Sequence, residues 1–269
     1  MKLFLEKKEI ELSKKFIKDG YVKIKADDIK YLDNIKKLFK TIINEELKKK
    51  KIKSSIYDHD IFNKIHKLIP VSELNDFRLS VISKINNNMS LRKSYFEATK
   101  SALFSLVGNE LAMQSRVNLS IQLPNDKSSL LPVHSDVWSG DSPFETVVWL
   151  PLVDCYKTKS MFILPPKKYE KIKKIFLQKK FNSSEMIYKK IKKDLIWINI
   201  KFGQVLVFNQ CLPHGNTVNH EKETRWSLNC RFKSIFSPHR DKKIGEFFEP
   251  ITLRKVSELA INYKLPKIK

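Results

Sequence analysis

The sequence predicts an α+β fold in which a helix-rich amino-terminal portion packs on a carboxy-terminal β core, and a change of texture along the chain predicts it. Up to about Gln114, apolar residues return every three or four positions with Lys or Glu between them, the period of amphipathic helices. Beyond that point come short runs rich in β-branched and aromatic residues, separated by polar loops, which read as strands. With Gly scarce at 6 residues and no internal repeat or low-complexity linker, no domain boundary is visible. Residues 1–269 are therefore expected to form a single domain: 1–114 as mainly helical support, 115–238 as the β core and 239–269 as a carboxy-terminal helical segment.

Taken in order, Gly20 breaks the first helix, and Tyr21, Val22 and Ile24 predict a short strand. Asp27 and Asp28 are placed to cap a helix that begins near Ile29, because a short acidic side chain accepts from the free N–H groups of a first turn. The Lys48–Lys53 run reads as a solvated helix end. Leu91–Met113 reads as one packed helix on the spacing of Phe96, Leu103, Leu106 and Leu111. Strands are predicted at Arg116–Gln122, Thr146–Val153, Ser160–Leu164, Leu195–Ile200, Gln204–Phe208 and Thr224–Phe236. Lys167–Lys180 is a basic helical insertion, and the chain from Pro250 onward turns helical before fraying into Lys-rich sequence.

Composition narrows the function classes. Hydrophobic residues at 42% and aromatics at 11% suit a globular protein with a sizeable core. No stretch approaches the roughly 20 apolar residues of a membrane span. The opening residues turn acidic before they reach the apolar run of about 7–15 residues that a secretory signal needs, so a cytoplasmic protein is expected. Cys155, Cys211 and Cys230 match neither a disulfide framework nor a zinc pattern and are expected to be small buried hydrophobes. The formal charge of +23 comes mostly from lysines scattered in pairs along Ile- and Asn-rich segments. That pattern speaks for solvated helix faces rather than a nucleic-acid stripe, while the net charge still favours small anionic substrates at long range. The oligomeric state is not set by any of these features.

The chemistry concentrates in two places. In His134-Ser135-Asp136 an imidazole and a carboxylate lie two apart, so on an extended chain both point the same way and can bind one metal ion from adjacent edges. A third ligand is offered by His214, just past the apolar strand Gln204–Phe208. Two histidines and one carboxylate on one face of an octahedral ion leave the opposite positions open, the arrangement of non-haem Fe(II) oxygenases. Eleven residues on, Arg225, Ser227, Asn229 and Arg231 share one face of a strand whose other face is Trp226, Leu228, Cys230 and Phe232. If the apolar face packs inward, the polar face lines a cavity, where a buried guanidinium needs a carboxylate. Arg225 and Ser227 are thus candidates to grip a distal carboxylate.

The chain order His134-x-Asp136, His214, Arg225-x-Ser227 resembles the 2-oxoglutarate/Fe(II)-dependent oxygenases, particularly their phytanoyl-CoA hydroxylase-like branch. Phe16–Val22 resembles the opening helix-to-strand segment of that branch, and Val147–Asp154 the strand after its His-x-Asp loop. Ser160–Pro166 stands where the branch often has a Gly-x-Leu strand ending in Pro-Gly-Ser-His, and here that Gly, Ser and His are missing. Asn118–Asp154 resembles, more specifically, oxygenases encoded sporadically in bacterial carbohydrate-biosynthesis clusters. The resemblance implies a double-stranded β-helix (jelly-roll, cupin-like) core with the helical amino-terminal portion and helical insertion around it. It implies Fe(II) on His134, Asp136 and His214, 2-oxoglutarate held by Arg225 and Ser227 with Trp149 beside it, and release of succinate and CO2. It also implies a small-molecule substrate, sugar-derived or otherwise polar, and hydroxylation rather than halogenation, because Asp136 fills the third ligand position. Asn118 and Arg231 are candidate substrate contacts, as are Trp138, Asp141 and Phe144 in a 124–145 loop expected to lie over the metal. Asn118 and Arg231 are alternatively braces for the ligands. His59, His66, His220 and His239 are expected to face solvent.

Two other readings compete. An alkylated-nucleobase demethylase of the AlkB type shares the six-residue spacing of Arg225 and Arg231, but its Asn-x-Tyr segment is missing and Arg225 follows His214 too soon. A non-catalytic β-helix module binding an anionic glycan would need neither metal nor co-substrate.

Overall fold

The computed structural model describes residues 4–53, 59–177 and 183–267. Along them run α1 (Lys7–Asp19), β1 (Tyr21–Lys25), α2 (Ile29–Lys49), α3 (Ile61–Lys64), α4 (Val71–Asn86), α5 (Met89–Glu97) and α6 (Lys100–Leu106). Then follow β2 (Leu111–Gln114), β3 (Asn118–Gln122), β4 (Thr146–Pro151), β5 (Phe162–Ile163), α7 (Pro166–Leu177), α8 (Ser184–Ile191) and β6 (Ile196–Trp197). The chain closes with β7 (Gln204–Phe208), β8 (His214–Gly215), β9 (Arg225–Ser234), β10 (Phe248–Pro250) and α9 (Lys255–Ile261). Among the described residues no helix is long and apolar enough to cross a membrane.

Local signals explain the first elements. Gly20 stops α1 with φ 80°, its N–H donating to the Phe16 carbonyl at 2.8 Å. Asp28 caps α2 by accepting from the Lys30 N–H at 2.9 Å, and Leu32, Ile35, Phe39, Ile42, Ile43 and Leu47 then form its buried stripe. The expectation of one helix over Leu91–Met113 is corrected. The segment divides into α5, α6 and the strand β2, whose four residues are all buried and which pairs with β9 and β10. A run buried on both faces carries no alternation, so periodicity cannot separate it from a buried helix. Strands expected over Ser160–Leu164 and Leu195–Ile200 contract to the two-residue β5 and β6. The insertion gains a second helix, α8, capped by Ser183, whose hydroxyl accepts from Met186 N–H; the last residues expected for the first, 178–180, lie outside the described residues.

The strands form two antiparallel sheets. The larger runs β1-β7-β4-β9-β2-β10, with β3 also pairing β9; the smaller runs β6-β5-β8. β9 is the spine of the larger sheet, and its apolar side joins helices to sheet. Trp226 is fully buried, meets Phe39, Phe62 and Phe77 edge-on, and donates its indole N–H to the Phe62 carbonyl at 2.9 Å. Tyr95 of α5 reaches across to donate its hydroxyl to the Val148 carbonyl at 2.7 Å. At its end α4 is tied to the approach of β3: the Asn86 side chain donates to the Val117 carbonyl and accepts from the Val117 N–H, at 3.1 and 2.8 Å.

Candidate active site

Backbone pairing brings the two candidate imidazoles together. His134 and His214 face each other across an isolated antiparallel bridge, each N–H donating to the other's carbonyl, at 3.0 and 2.8 Å. Directly opposed residues on an antiparallel pair project side chains to the same face, and the ring centroids lie 4.3 Å apart. Gly215 is required for this closure, since a Cβ there would lie 2.7 Å from the Leu131 carbonyl oxygen and 3.0 Å from that of Pro132. Asp136 joins from the same segment after the extended Ser135, with its own N–H and the Ser135 hydroxyl both donating to the Gln210 carbonyl.

Each histidine Nδ1 sits against a carbonyl oxygen two residues earlier, His134 on Pro132 at 2.8 Å and His214 on Leu212 at 2.9 Å. A carbonyl only accepts, so Nδ1 carries the hydrogen and the neutral ring presents the Nε2 lone pair, the tautomer a metal ligand needs. Those Nε2 atoms lie 3.5 and 3.8 Å from Asp136 Oδ1, and one ligand atom from each of the three residues falls within 4.8 Å of the others. Burial and the neighbouring His134 push the His214 pKa down to about 4, so the ring is neutral near pH 7. Burial alone would raise the Asp136 carboxyl; the adjoining His134 and His214 rings and the Arg231 guanidinium hold it well below the usual range.

A cavity of about 420 Å³ opens on this triad. The polar face of β9 lines it with Arg225, Ser227, Asn229 and Arg231, while Trp226, Leu228, Cys230 and Phe232 on the other face are fully buried. The two arginines differ in their company. Arg225 is buried, donating to the Ser160 carbonyl at 2.9 Å and to the Ser120 hydroxyl at 2.8 Å, both neutral groups. Among the described residues its Nε and the Ser227 hydroxyl have no partner, and no carboxylate forms an ion pair with it. Burial brings its pKa down to about 10, still charged at neutral pH. Arg231 is instead saturated: it pairs with Asp136 Oδ2 at 3.0 Å and Asp141 Oδ1 at 3.2 Å, and donates to Gln114 and Gln210. Asp141 is held in turn by Lys242 at 2.6 and 2.8 Å.

Trp149 of β4 and Asn118 of β3 also line the cavity, with the Asn118 amide donating to Asn229 Oδ1 at 2.8 Å. Of the 124–145 loop, Ser128–Leu131 line it together with His134 and Asp136. Trp138, Asp141 and Phe144 do not: Trp138 packs on Phe176 with centroids 5.3 Å apart, Asp141 is committed to Lys242 and Arg231, and Phe144 stands 55% exposed. Arg231, expected as a substrate contact or a brace, has the contacts of a brace. Arg78 of α4, which sequence reasoning passed over, lines the cavity as well, and nothing in its Lys- and Asn-rich helical surroundings sets it apart from a solvated side chain. Among the remaining histidines His59 and His220 are exposed, whereas His66 and His239 are half-buried, His66 bonded to the Thr224 hydroxyl at 2.9 Å. Cys155 and Cys230 are buried, which pushes both thiols up to about 12, and Cys211 is only half-buried.

No protein-family model matches the sequence, and no curated protein matches it either. Solved structures share the fold. A non-haem monooxygenase, ThoJ in a nickel complex, aligns at 17% identity over 93% of this chain and 93% of that one, with a TM-score of 0.50. The non-haem α-ketoglutarate-dependent epimerase SnoN from nogalamycin biosynthesis aligns at 13% identity over 88% and 85%, TM-score 0.50. EctD from S. alaskensis in its apoform aligns at 12% identity over 90% and 83%, TM-score 0.50. At these identities the likeness is one of fold.

Proposed function

We propose that this chain is a single-domain Fe(II)/2-oxoglutarate-dependent oxygenase acting on a polar small molecule, with the two sheets forming a double-stranded β-helix. One observation carries the reading: two imidazoles and one ionised carboxylate converge and open on the same cavity as a buried guanidinium that has no counter-charge among the described residues. A buried cation without a carboxylate is costly, and a dicarboxylate co-substrate would supply the missing partner. The residues present therefore fit both groups. His134 Nε2, His214 Nε2 and Asp136 Oδ1 would hold the metal, and Arg225 Nε with the Ser227 hydroxyl would take the distal carboxylate. Iron(II) with 2-oxoglutarate supplies dioxygen activation coupled to loss of CO2 from the co-substrate, leaving succinate.

The chain's own residues do the placing. The histidine bridge sets the two imidazoles side by side, and the Pro132 and Leu212 carbonyls, by holding each Nδ1–H, leave the Nε2 lone pairs toward Asp136. Arg231 occupies Asp136 Oδ2 and leaves Oδ1 for the ion, so the carboxylate has one free oxygen. Trp149, buried in the cavity wall, would flank the co-substrate and exclude water. The amides of Asn118 and Asn229 and the hydroxyls of Ser120, Ser128 and Ser129 support a substrate rich in hydrogen-bonding groups, of which a carbohydrate derivative is the class suggested by the sequence resemblance.

The test is a melting-temperature series with Mn(II) alone, 2-oxoglutarate alone, and both together, followed by succinate release with Fe(II) in air. Ligands that bind only the folded state raise its apparent stability. The pair is expected to stabilise more than either component, and His134→Ala is expected to abolish the joint effect. If neither ligand shifts the transition, the reading is wrong.

A further inference from the structure

The cavity holds more positive charge than metal and co-substrate can neutralise. Among the described residues its charged lining comprises three guanidiniums, Arg78, Arg225 and Arg231, against the one carboxylate of Asp136, an excess of two positive charges. The second acid on Arg231, Asp141, is itself matched by Lys242, so that network does not alter the balance. A divalent metal ion and the dianion of 2-oxoglutarate cancel each other. The excess survives loading of the site, in a partly enclosed space where unmatched charge is expensive.

Arg78 is where that excess is free to act. Arg231 has two carboxylates, and Arg225 takes the co-substrate under the reading above, on which this inference rests. Arg78 is half-buried, donates to Asn75 Oδ1 one turn earlier at 2.8 Å, and forms no ion pair with any described carboxylate. Its position is set by the helix. Arg78, Ile82 and Asn86 recur at four-residue spacing on one face of α4; Ile82 lines the cavity beside Arg78, and Asn86 is the residue bonded to Val117 at the start of β3. The neighbouring residues of β3, Asn118 and Ser120, contribute polar groups to the same cavity.

We propose that the substrate carries an anionic group, a carboxylate or a phosphate or sulfate ester, and that Arg78 is the specificity-determining residue that pairs with it. A guanidinium offers two parallel N–H donors to either oxyanion, and the Asn75 bond pre-orients that fork.

Calorimetric titration tests this with sulfate and acetate as probes of the two anion classes. Ionic strength is held constant with chloride, and the protein is saturated with Mn(II) and 2-oxoglutarate so that Arg225 is filled. Wild type is expected to bind at least one of the two anions roughly tenfold or more tightly than Arg78→Ala, the scale of one charge-assisted hydrogen-bonded pair. Arg78→Lys should recover part of the difference, and the anion that responds identifies the class. Binding of neither anion to wild type, or equal binding to wild type and Arg78→Ala, would overturn the proposal. Melting temperatures of the same samples with and without Mn(II) and 2-oxoglutarate report on the site reading separately: no shift there removes the co-substrate assignment, whereas Arg78-dependent anion binding would still stand.

Discussion

Arg225 and Arg231 stand six residues apart on the same face of one strand, and the structure treats them oppositely. Arg231 meets two carboxylates and two glutamine side chains, and one of those carboxylates is a candidate metal ligand. Arg225, more deeply buried, meets among the described residues only a carbonyl and a hydroxyl and keeps an unpartnered Nε. A guanidinium with its charge already matched stiffens a site; one left unmatched in a dry wall is a binding element waiting for an anion. The difference lies wholly in what the rest of the fold brings to each end of β9.

The largest expected effect falls on the metal triad that Arg231 braces. Asp136→Ala removes a ligand and leaves Arg231 with an unmatched charge, so Mn(II) binding measured by calorimetry should disappear altogether. A residual affinity within tenfold of wild type would mean that the triad is not the metal centre.

Reciprocal substitutions then break the comparison apart. Arg225→Ala should weaken 2-oxoglutarate binding roughly a hundredfold or more, the order expected when one side of a buried ion pair is removed, while leaving Mn(II) affinity near wild type. Arg231→Ala should do the converse, costing about 10–100-fold in Mn(II) affinity through loss of the Asp136 support. If both substitutions weakened the same ligand equally, the division of labour between the two ends would be refuted.

A smaller effect, remote from the site, sharpens the contrast by separating scaffold from centre at low pH. Glu46 of α2 is buried; burial raises its pKa, but Lys84, Lys49 and Ser80 bring it down to about 2, from the ordinary 4.5. A carboxyl depressed in the folded state stabilises above its unfolded pKa and loses that contribution as pH falls through the folded value. The melting-temperature gap between wild type and Glu46→Gln should therefore be full near neutrality and close progressively between about pH 4.5 and 2. A gap that stays constant over that window would show that the ion pairs contribute nothing through ionisation.

Much of the site was legible along the chain, and the reason is local. Strand alternation alone predicts the polar row from Arg225 to Arg231 and the apolar row opposite it, and the side-chain cap at Asp28 and the break at Gly20 follow from single residues. What could not be read had no local signature. β2 is buried on both faces, and β8 and β10 span only two and three residues, too few to show a period. Trp138 and Asp141 stand beside a candidate ligand in sequence, yet one turns to Phe176 and the other to Lys242, partners from segments far along the chain. Arg78 carried no motif at all.

By itself, then, the amino-acid order determined which side chains share a face and which residue types are available to bind a metal and a dicarboxylate, because pleat and helix period are properties of neighbouring residues. The tertiary structure decided which charges are matched. That depends on residues far apart along the chain meeting in a medium that screens poorly, as Arg231 meets Asp136 and Arg225 meets none of the described acids, and no periodicity encodes it.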